Sequence, residues 1–444
     1  MKRLIAVLAF VMIAEGVMAD RPSASFFPYK YETYDLPNGL RAILIPMEGS
    51  GLVAYYTIVR TGSRDEVEPG RSGFAHFFEH MMFRGTKRYP AEVYDRMVTE
   101  MGADANAYTT DDYTCYYLVV SRENLERVMD LESDRFQNLS YDEISFKTEA
   151  GAVYGEYRKS RVNPWAVLYE AMLNTAFVKH TYKHTTIGFE EDIKNMPTGY
   201  EYSLNFFKRF YRPDNVVLLI VGDLDVEATK RLIDKYYGKW ERGYVPPRIP
   251  REPEQKGERI KEVTYRGKTL PIVAVAYKGD AFDPDNRMVA AAYLLGNLAF
   301  GQTSDIYKKL VIREQKVQFI QGDFGFRRDP KLLTIFTMVK KEADIPDVLQ
   351  EIDRTIDWFK QERVDENRLE REKKHTRYSF LMGLDTPDNV ASRLARFVAL
   401  TADLDAIERL HENIVQLTAE DIRAAAQRYF VKAHRTVIIL KGEK

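Results

Sequence analysis

The sequence contains little cysteine, no excess of charge of either sign and no long apolar run. Its single cysteine, Cys115, excludes an internal disulfide and a cysteine-based zinc site, so any bound metal would depend on histidine and carboxylate ligands. Lys and Arg number 65 against 66 Asp and Glu, a net charge of -1, and we therefore predict no nucleic-acid partner. A chain of 444 residues, 45% hydrophobic and 30% charged, is typical of a globular protein with two or three cores.

The first twenty residues have the three parts of a secretory signal peptide. A basic start, Met1-Lys-Arg, precedes an apolar run over residues 4–13, and Val17-Met-Ala19 resembles a cleavage site. The apolar run is too short to span a bilayer, and no cysteine near the cleavage site could carry a lipid. The sequence predicts a signal peptide over residues 1–19 and an exported protein, periplasmic or secreted, without a membrane span after cleavage. The alternative, a buried N-terminal helix, would leave the basic start and the cleavage pattern unexplained.

A proline-rich and then charged stretch divides the chain into halves of similar size. Residues 244–259 contain Val-Pro-Pro-Arg-Ile-Pro-Arg-Glu-Pro and no apolar period around which a core could form. We predict a linker there, between a domain over residues 20–243 and a second domain over residues 260–444.

The two halves carry a repeated pattern at their ends. Phe210 stands twelve residues before Gly222 and Phe430 stands twelve residues before Gly442, in each case across an apolar, strand-like run. Strands and long amphipathic helices come in blocks within each half, which favours antiparallel sheets over βαβ alternation. The predicted fold class is α+β, with two tandem duplicated domains, each a mostly antiparallel sheet with helices packed on one face.

The most specific motif in the sequence is His76-Phe-Phe-Glu-His80. It follows Ser72-Gly73, which we predict to be the N-cap of a helix. On a helix, histidines four residues apart share one face and can bind one metal ion, and Glu79 lies beside that face. This HxxEH order is the inverted form of the zincin motif. The alternative is a pair of solvated histidines with a neighbouring glutamate.

A third ligand must come from elsewhere, because catalytic zinc sites usually take three protein ligands. Ser140 and Glu143 form a capping box that predicts a helix running to about Ser160. This helix carries Glu149 and Glu156, seven residues apart on one face. Glu156 is the candidate third ligand, although from spacing alone such carboxylates are more often a solvated stripe.

These residues resemble the pitrilysin-type zinc peptidases, which include insulin-degrading enzyme and the mitochondrial processing peptidase. The resemblance rests on His76-Phe-Phe-Glu-His-Met-Met-Phe-Arg-Gly-Thr86, followed by Glu149 and Glu156. Asn106-Ala-Tyr-Thr109 resembles the Asn-Ala-x-Thr edge strand of that family, and residues 211–223 match the end of its first domain. The resemblance covers nearly all of the chain after the predicted signal peptide.

The resemblance implies a zinc site and a role for each of its residues. His76, His80 and Glu156 would bind zinc, Glu79 would be the general base, and Glu149 would support a ligating histidine from outside the coordination sphere. The chemistry agrees, because zinc lowers the pKa of a bound water towards about 7 and a nearby carboxylate can take its proton. The function implied is that of a zinc-dependent endopeptidase.

The resemblance also implies a substrate-binding strand. Asn106 and Ala107 would offer main-chain groups to an extended or unfolded peptide, which adds itself to the sheet with little regard for sequence. On local pattern alone, an ordinary hairpin strand fits these residues equally well.

The second half departs from the family pattern. Residues 290–297, which correspond to the metal helix, contain no histidine or carboxylate, so we predict no metal there. Active members often carry an Arg and, seven residues later, a Tyr that hold the substrate. Here Arg313 remains, although a solvated helix charge explains it equally well, and Ile320 stands at the Tyr position.

This departure leaves two alternatives to a self-sufficient peptidase. One is a non-catalytic or weakly active assembly or binding subunit of a heterodimeric peptidase, and the other is zinc scavenging, which would not explain Glu79. Four such domains close a chamber in the family, so two chains would be needed. We expect a homodimer, or a heterodimer with a paralogue that carries the Arg/Tyr pattern.

Overall fold

Two β-sheets with surrounding helices make up residues 25–443, the part of the protein that the computed structural model describes. The predicted signal peptide, residues 1–19, lies outside the described residues. Within the described part, no helix is both long enough and apolar enough to cross a membrane.

The strands of the first sheet are β1 (Glu32–Asp35), β2 (Arg41–Pro46), β3 (Leu52–Val59), β4 (Asp104–Thr109), β5 (Thr114–Ser121) and β6 (Val216–Gly222). The strands of the second are β7 (Arg259–Tyr265), β8 (Ile272–Lys278), β9 (Val317–Asp323), β10 (Leu332–Val339) and β11 (Arg435–Gly442). The first sheet has the strand order β1-β2-β6-β3-β5-β4, and the second has the order β7-β11-β8-β10-β9.

Helices separate many of these strands along the chain. Those of the first half are α1 (Phe74–Met81), α2 (Ala91–Glu100), α3 (Leu125–Asn138), α4 (Glu143–Ser160), α5 (Pro164–Ala176), α6 (Glu190–Asn195), α7 (Tyr200–Phe210) and α8 (Val226–Tyr237). Those of the second half are α9 (Arg287–Phe300), α10 (Asp305–Tyr307), α11 (Ile345–Gln361), α12 (Glu366–Leu381), α13 (Pro387–Thr401), α14 (Asp405–Gln416) and α15 (Ala419–Tyr429). A π-helical segment, Lys308–Arg313, continues α10. No helix or strand lies between α8 and β7.

The two sheets repeat one topology except for β1, an extra edge strand of the first sheet, and this repeat confirms the predicted duplicated α+β fold. In each sheet one pair of strands is parallel, β2 with β6 and β7 with β11, and the other pairs are antiparallel. The repeated sequence pattern becomes helix α7 followed by β6 in the first half and helix α15 followed by β11 in the second.

Each sheet is covered on both faces, which adds one layer to the predicted arrangement. One face packs against helices of its own half, as expected. The other face of the first sheet packs against α13, and the other face of the second sheet packs against α5, so the two halves exchange a helix. The sequence did not indicate this exchange, because an apolar stripe on a helix does not identify the sheet it covers.

Candidate metal centre

The metal helix α1 begins without a side-chain cap of its own. Gly73 is the N-cap residue, with a left-handed φ of 94° that favours glycine, and the Ser72 hydroxyl contacts Asp192 instead. The buried carboxylate of Glu66 accepts hydrogen bonds from the backbone N–H groups of Gly73, at 2.7 Å, and Ala75, at 2.6 Å. The predicted cap position is therefore right, but the capping group comes from a residue outside the motif.

Helix α4 carries the two glutamates and begins later than the capping box predicted. Its N-cap is Asp142, whose carboxylate accepts the backbone N–H of Ser145 at 2.7 Å. The predicted role of Ser140 is wrong, since Ser140 lies two residues before the cap and out of reach of the free N–H groups. The predicted end at Ser160 is correct, and Glu149 and Glu156 both lie on this helix.

Helices α1 and α4 pack together and bring three potential ligands to one point. The rings of Phe77 and Phe146 meet edge to face, with centroids 5.0 Å apart. Glu156 Oε2 lies 3.7 Å from His76 Nε2 and 3.4 Å from His80 Nε2, and one ligand atom from each residue lies within 4.8 Å of the others. Adjacent ligand atoms in a tetrahedral zinc site are about 3.3 Å apart, so two imidazoles and this carboxylate fit zinc.

The protonation of the cluster also suits a metal. Burial lowers the pKa of His76, of which 9% is exposed, and favours the neutral ring that a metal requires. The hydrogen bond with His80 lowers the pKa of Glu156, whose side chain is 47% exposed. The cluster is thus buried on the side of His76 and exposed to solvent on the side of Glu156.

Glu149 contacts His80 on the side of the ring that faces away from Glu156. Its carboxylate is buried, with Oε1 2.8 Å from His80 Nδ1, and Arg84 donates a hydrogen bond to Oε2. A carboxylate on Nδ1 fixes the ring so that Nε2 faces Glu156. The sequence suggested this contact for Glu149 but not the part played by Arg84.

Glu79 lies between the cluster and the edge strand β4. Its Oε2 accepts a hydrogen bond of 2.6 Å from the hydroxyl of Thr109, the last residue of β4. Asn106 and Ala107 lie on the same strand, and Asn106 Oδ1 accepts the backbone N–H of Ala107 at 2.9 Å. Strand β4 pairs only with β5 within residues 25–443, so its other side is open. Thr109 belonged to the edge-strand pattern, but its contact with Glu79 was not anticipated.

Residues 260–443, the described part of the second half, hold no comparable cluster. Among the described residues, His76, His80 and Glu156 form the one group of three or more side chains placed to hold a metal. Ile320 is buried in the core of the second half, and Arg313 is exposed at the end of the π-helical segment.

Comparisons with known proteins cover most of the chain. Residues 51–189 match the family model described as Insulinase (Peptidase family M16), and residues 200–375 match the model described as Peptidase M16 inactive domain. The zinc protease PqqE of Helicobacter pylori is 28% identical over 455 aligned residues, which cover 99% of this chain and 98% of that protein.

Solved structures share the fold. The crystal structure of a protease from Helicobacter pylori has a TM-score of 0.87 at 27% identity and covers 93% of this chain and 100% of that chain. The crystal structure of the periplasmic protease PqqL from Escherichia coli has a TM-score of 0.77 at 20% identity. The latter match covers 93% of this chain but 47% of that chain.

The fold and these matches define a metallopeptidase. The chain belongs to peptidase family M16, the insulinase family. The resemblance to the pitrilysin-type peptidases is thereby confirmed.

Proposed function

We propose that the protein is a zinc-dependent endopeptidase that cleaves extended or unfolded peptides. Its cofactor is zinc, in agreement with the relatives that are named zinc proteases. The observation that carries the proposal is that the ligand atoms of His76, His80 and Glu156 lie close together. Glu79 and the open edge of the first sheet lie beside them. In this proposal His76, His80 and Glu156 hold the metal.

The remaining residues of the site have separate tasks. Zinc supplies Lewis acidity, which lowers the pKa of water and polarises a peptide carbonyl. Glu79 accepts the proton of the attacking water and delivers it to the leaving amine nitrogen, as a carboxylate within hydrogen-bond reach can do. Glu149 holds His80 through Nδ1, so that Nε2 keeps its direction towards Glu156.

The open side of β4 supports the proposed substrate class. A peptide that pairs with this strand would lie extended and bind mainly through its main chain, so sequence preference would be weak. The side chain of Asn106 now satisfies the N–H of Ala107, and a peptide carbonyl would have to replace it. An unfolded peptide meets these requirements, whereas a folded domain does not expose the necessary main chain.

The metal assignment predicts one zinc per chain, lost when a ligand is removed. His80→Ala should contain less than about a tenth of the wild-type zinc after dialysis, because two remaining ligands form an incomplete site. Elemental analysis measures this, and His434→Ala, which removes a histidine outside the cluster, is the control and should keep its metal. Stoichiometric zinc in His80→Ala would refute the assignment, and failure of the wild type to cleave an unfolded peptide mixture would refute the proposed activity.

Two further expectations belong to this proposal. The division into a catalytic domain over residues 20–243, a linker over 244–259 and a second domain over 260–444 is retained from the sequence. The prediction of export still rests on the signal-like residues 1–19, and the periplasmic description of the Escherichia coli protein is compatible with it. The full chain, expressed with its own residues 1–19, should be recovered from the periplasm or medium as residues 20–444.

The proposal includes a second chain as partner. The fold of this protein matches about half of a longer single-chain protease, so two copies or two paralogues would supply the same number of domains. Ile320 is buried where a substrate-binding tyrosine was expected, which favours a heterodimer over a homodimer.

The assembly is tested with the purified protein. We expect weak peptidase activity that rises at least about tenfold, the usual size of one substrate-orienting contact, when a paralogue with the Arg/Tyr pattern is added. Sedimentation measures complex formation in the same samples. If the protein were a fully active homodimer and a second chain did not change its activity, the proposed heterodimer would be wrong. Ile320 would then be a substitution without effect on activity.

A further inference from the structure

Glu79 lies on the metal helix α1, and its carboxylate is held by a residue of strand β4. The Thr109 hydroxyl donates to Glu79 Oε2 at 2.6 Å, and no other side-chain hydrogen bond to this carboxylate is made by the described residues. A single donor leaves the second oxygen, Oε1, available to a water or a substrate group. The direction of the carboxylate thus depends on where the end of strand β4 lies.

The turn that ends β4 is held from both halves of the chain: Tyr182 of the first half donates to Asp112, and the second half adds ion pairs. Two buried aspartates form the turn between β4 and β5. Asp111 Oδ2 accepts hydrogen bonds from Lys331 and, at 3.1 Å, from Arg327, and Asp112 Oδ2 accepts the backbone N–H of Arg328 at 3.0 Å. Because these groups are shielded from water, the charge contacts are stronger than they would be on the surface.

We propose that Thr109 is a positioning residue for Glu79, and that the contacts of Asp111 with Arg327 and Lys331 make the metal-free half part of this positioning. Strand β4 is a sheet edge with neighbours on one side only, so it lacks the second row of hydrogen bonds that fixes an inner strand. The ion pairs replace that support at the strand end nearest Glu79. This inference rests on the proposed function and adds to it a role for the half that binds no metal.

Replacement of Thr109 tests the first step. Thr109→Val keeps the shape and strand preference but removes the donor, so kcat should fall about 10- to 100-fold while KM changes less than about twofold. Thr109→Ser restores a hydroxyl and should recover most of the loss. Zinc content should equal that of the wild type in both variants, since Thr109 contacts no metal ligand. Equal kcat in Thr109→Val and wild type, or a loss that Thr109→Ser shares, would overturn the assignment.

Replacement of Arg327 tests the second step. Arg327→Gln leaves Lys331 to neutralise Asp111, so the protein should fold, and kcat should fall about three- to tenfold without loss of zinc. Tyr29→Phe is the matched control, because it removes another hydrogen bond between the halves, to the Leu384 carbonyl, and not one made to the β4–β5 turn. If Arg327→Gln and Tyr29→Phe had the same kcat, the proposed role of the second half in positioning Glu79 would be wrong.

The two hypotheses fail in different ways. A wild-type protein that binds zinc but cleaves no peptide would refute the proposed function. A wild-type protein that cleaves peptides while Thr109→Val does so equally well would refute only the positioning role. A Thr109→Val crystal structure in which Glu79 keeps its direction would also refute that role, independently of any activity measurement.

Discussion

Glu79→Gln is expected to keep its zinc and its fold, but its kcat should fall about 10²- to 10⁴-fold. This is the usual contribution of general acid–base catalysis. The amide matches the carboxylate in shape, and its oxygen can still accept the hydrogen bond from the Thr109 hydroxyl, but it cannot accept a proton from water. Glu79 is not one of the three residues whose ligand atoms cluster, so metal binding should be spared. Steady-state hydrolysis of an unfolded peptide, with zinc measured on the same sample, checks the prediction.

The control for this variant is Glu68→Gln, which changes a glutamate that pairs with Arg209 away from the cluster. It should keep wild-type turnover. If Glu79→Gln retained more than about a tenth of the wild-type kcat, another group would have to activate the water, and the role proposed for Glu79 would be wrong.

Arg135→Met is expected to destabilise the protein by about 3 to 5 kcal/mol, because it leaves a buried carboxylate without its partner. Arg135 and Glu132 on α3 are almost fully buried and lie 2.5 Å apart. Tyr94 also donates to Glu132, at 3.1 Å, but a neutral hydroxyl does not replace the charge. Four aromatic rings surround the guanidinium at 5.0 to 5.4 Å: Phe83, Tyr94, Tyr116 and Phe136. Urea denaturation measures the loss in free energy of unfolding.

The same helix supplies a matched control. Arg127 pairs with Glu100 at 2.7 Å, but both side chains are about half exposed. Arg127→Met should therefore cost at most about 1 kcal/mol. Replacing both buried partners, as Glu132→Leu with Arg135→Met, should recover part of the loss since no charge is left unpaired. Equal losses in Arg135→Met and Arg127→Met would show that burial does not strengthen this pair.

The sequence predicted the parts of the site that depend on local spacing. His76 and His80 are four residues apart on one helix, and the helix that carries Glu149 and Glu156 was recognised from its pattern. The fold class followed from the repeat and from the blocks of strands and helices. The nearness of α4 to α1 was taken from the family resemblance, because spacing alone does not bring two helices together.

The sequence did not predict contacts between residues that are far apart in the chain. The contact of Arg327 with Asp111 joins segments 216 residues apart, and neither sequence pattern identifies the other segment. The Glu66 cap lies only seven residues before Gly73, but a carboxylate in a loop does not by itself show which helix end it caps. The capping box at Ser140 failed for a different reason: Asp142, two residues later, offers an equally good acceptor, and composition does not decide between them.

The exchange of α5 and α13 makes the two halves interdependent in folding. A fragment that ended before β7 would lack α13 and would expose the apolar face of its sheet, including Ile43 and Tyr56, to solvent. Such an exposed apolar face would make the fragment prone to aggregation. A chain nicked between α8 and β7 would instead stay together as a noncovalent pair, because α13 would still cover the first sheet and α5 the second.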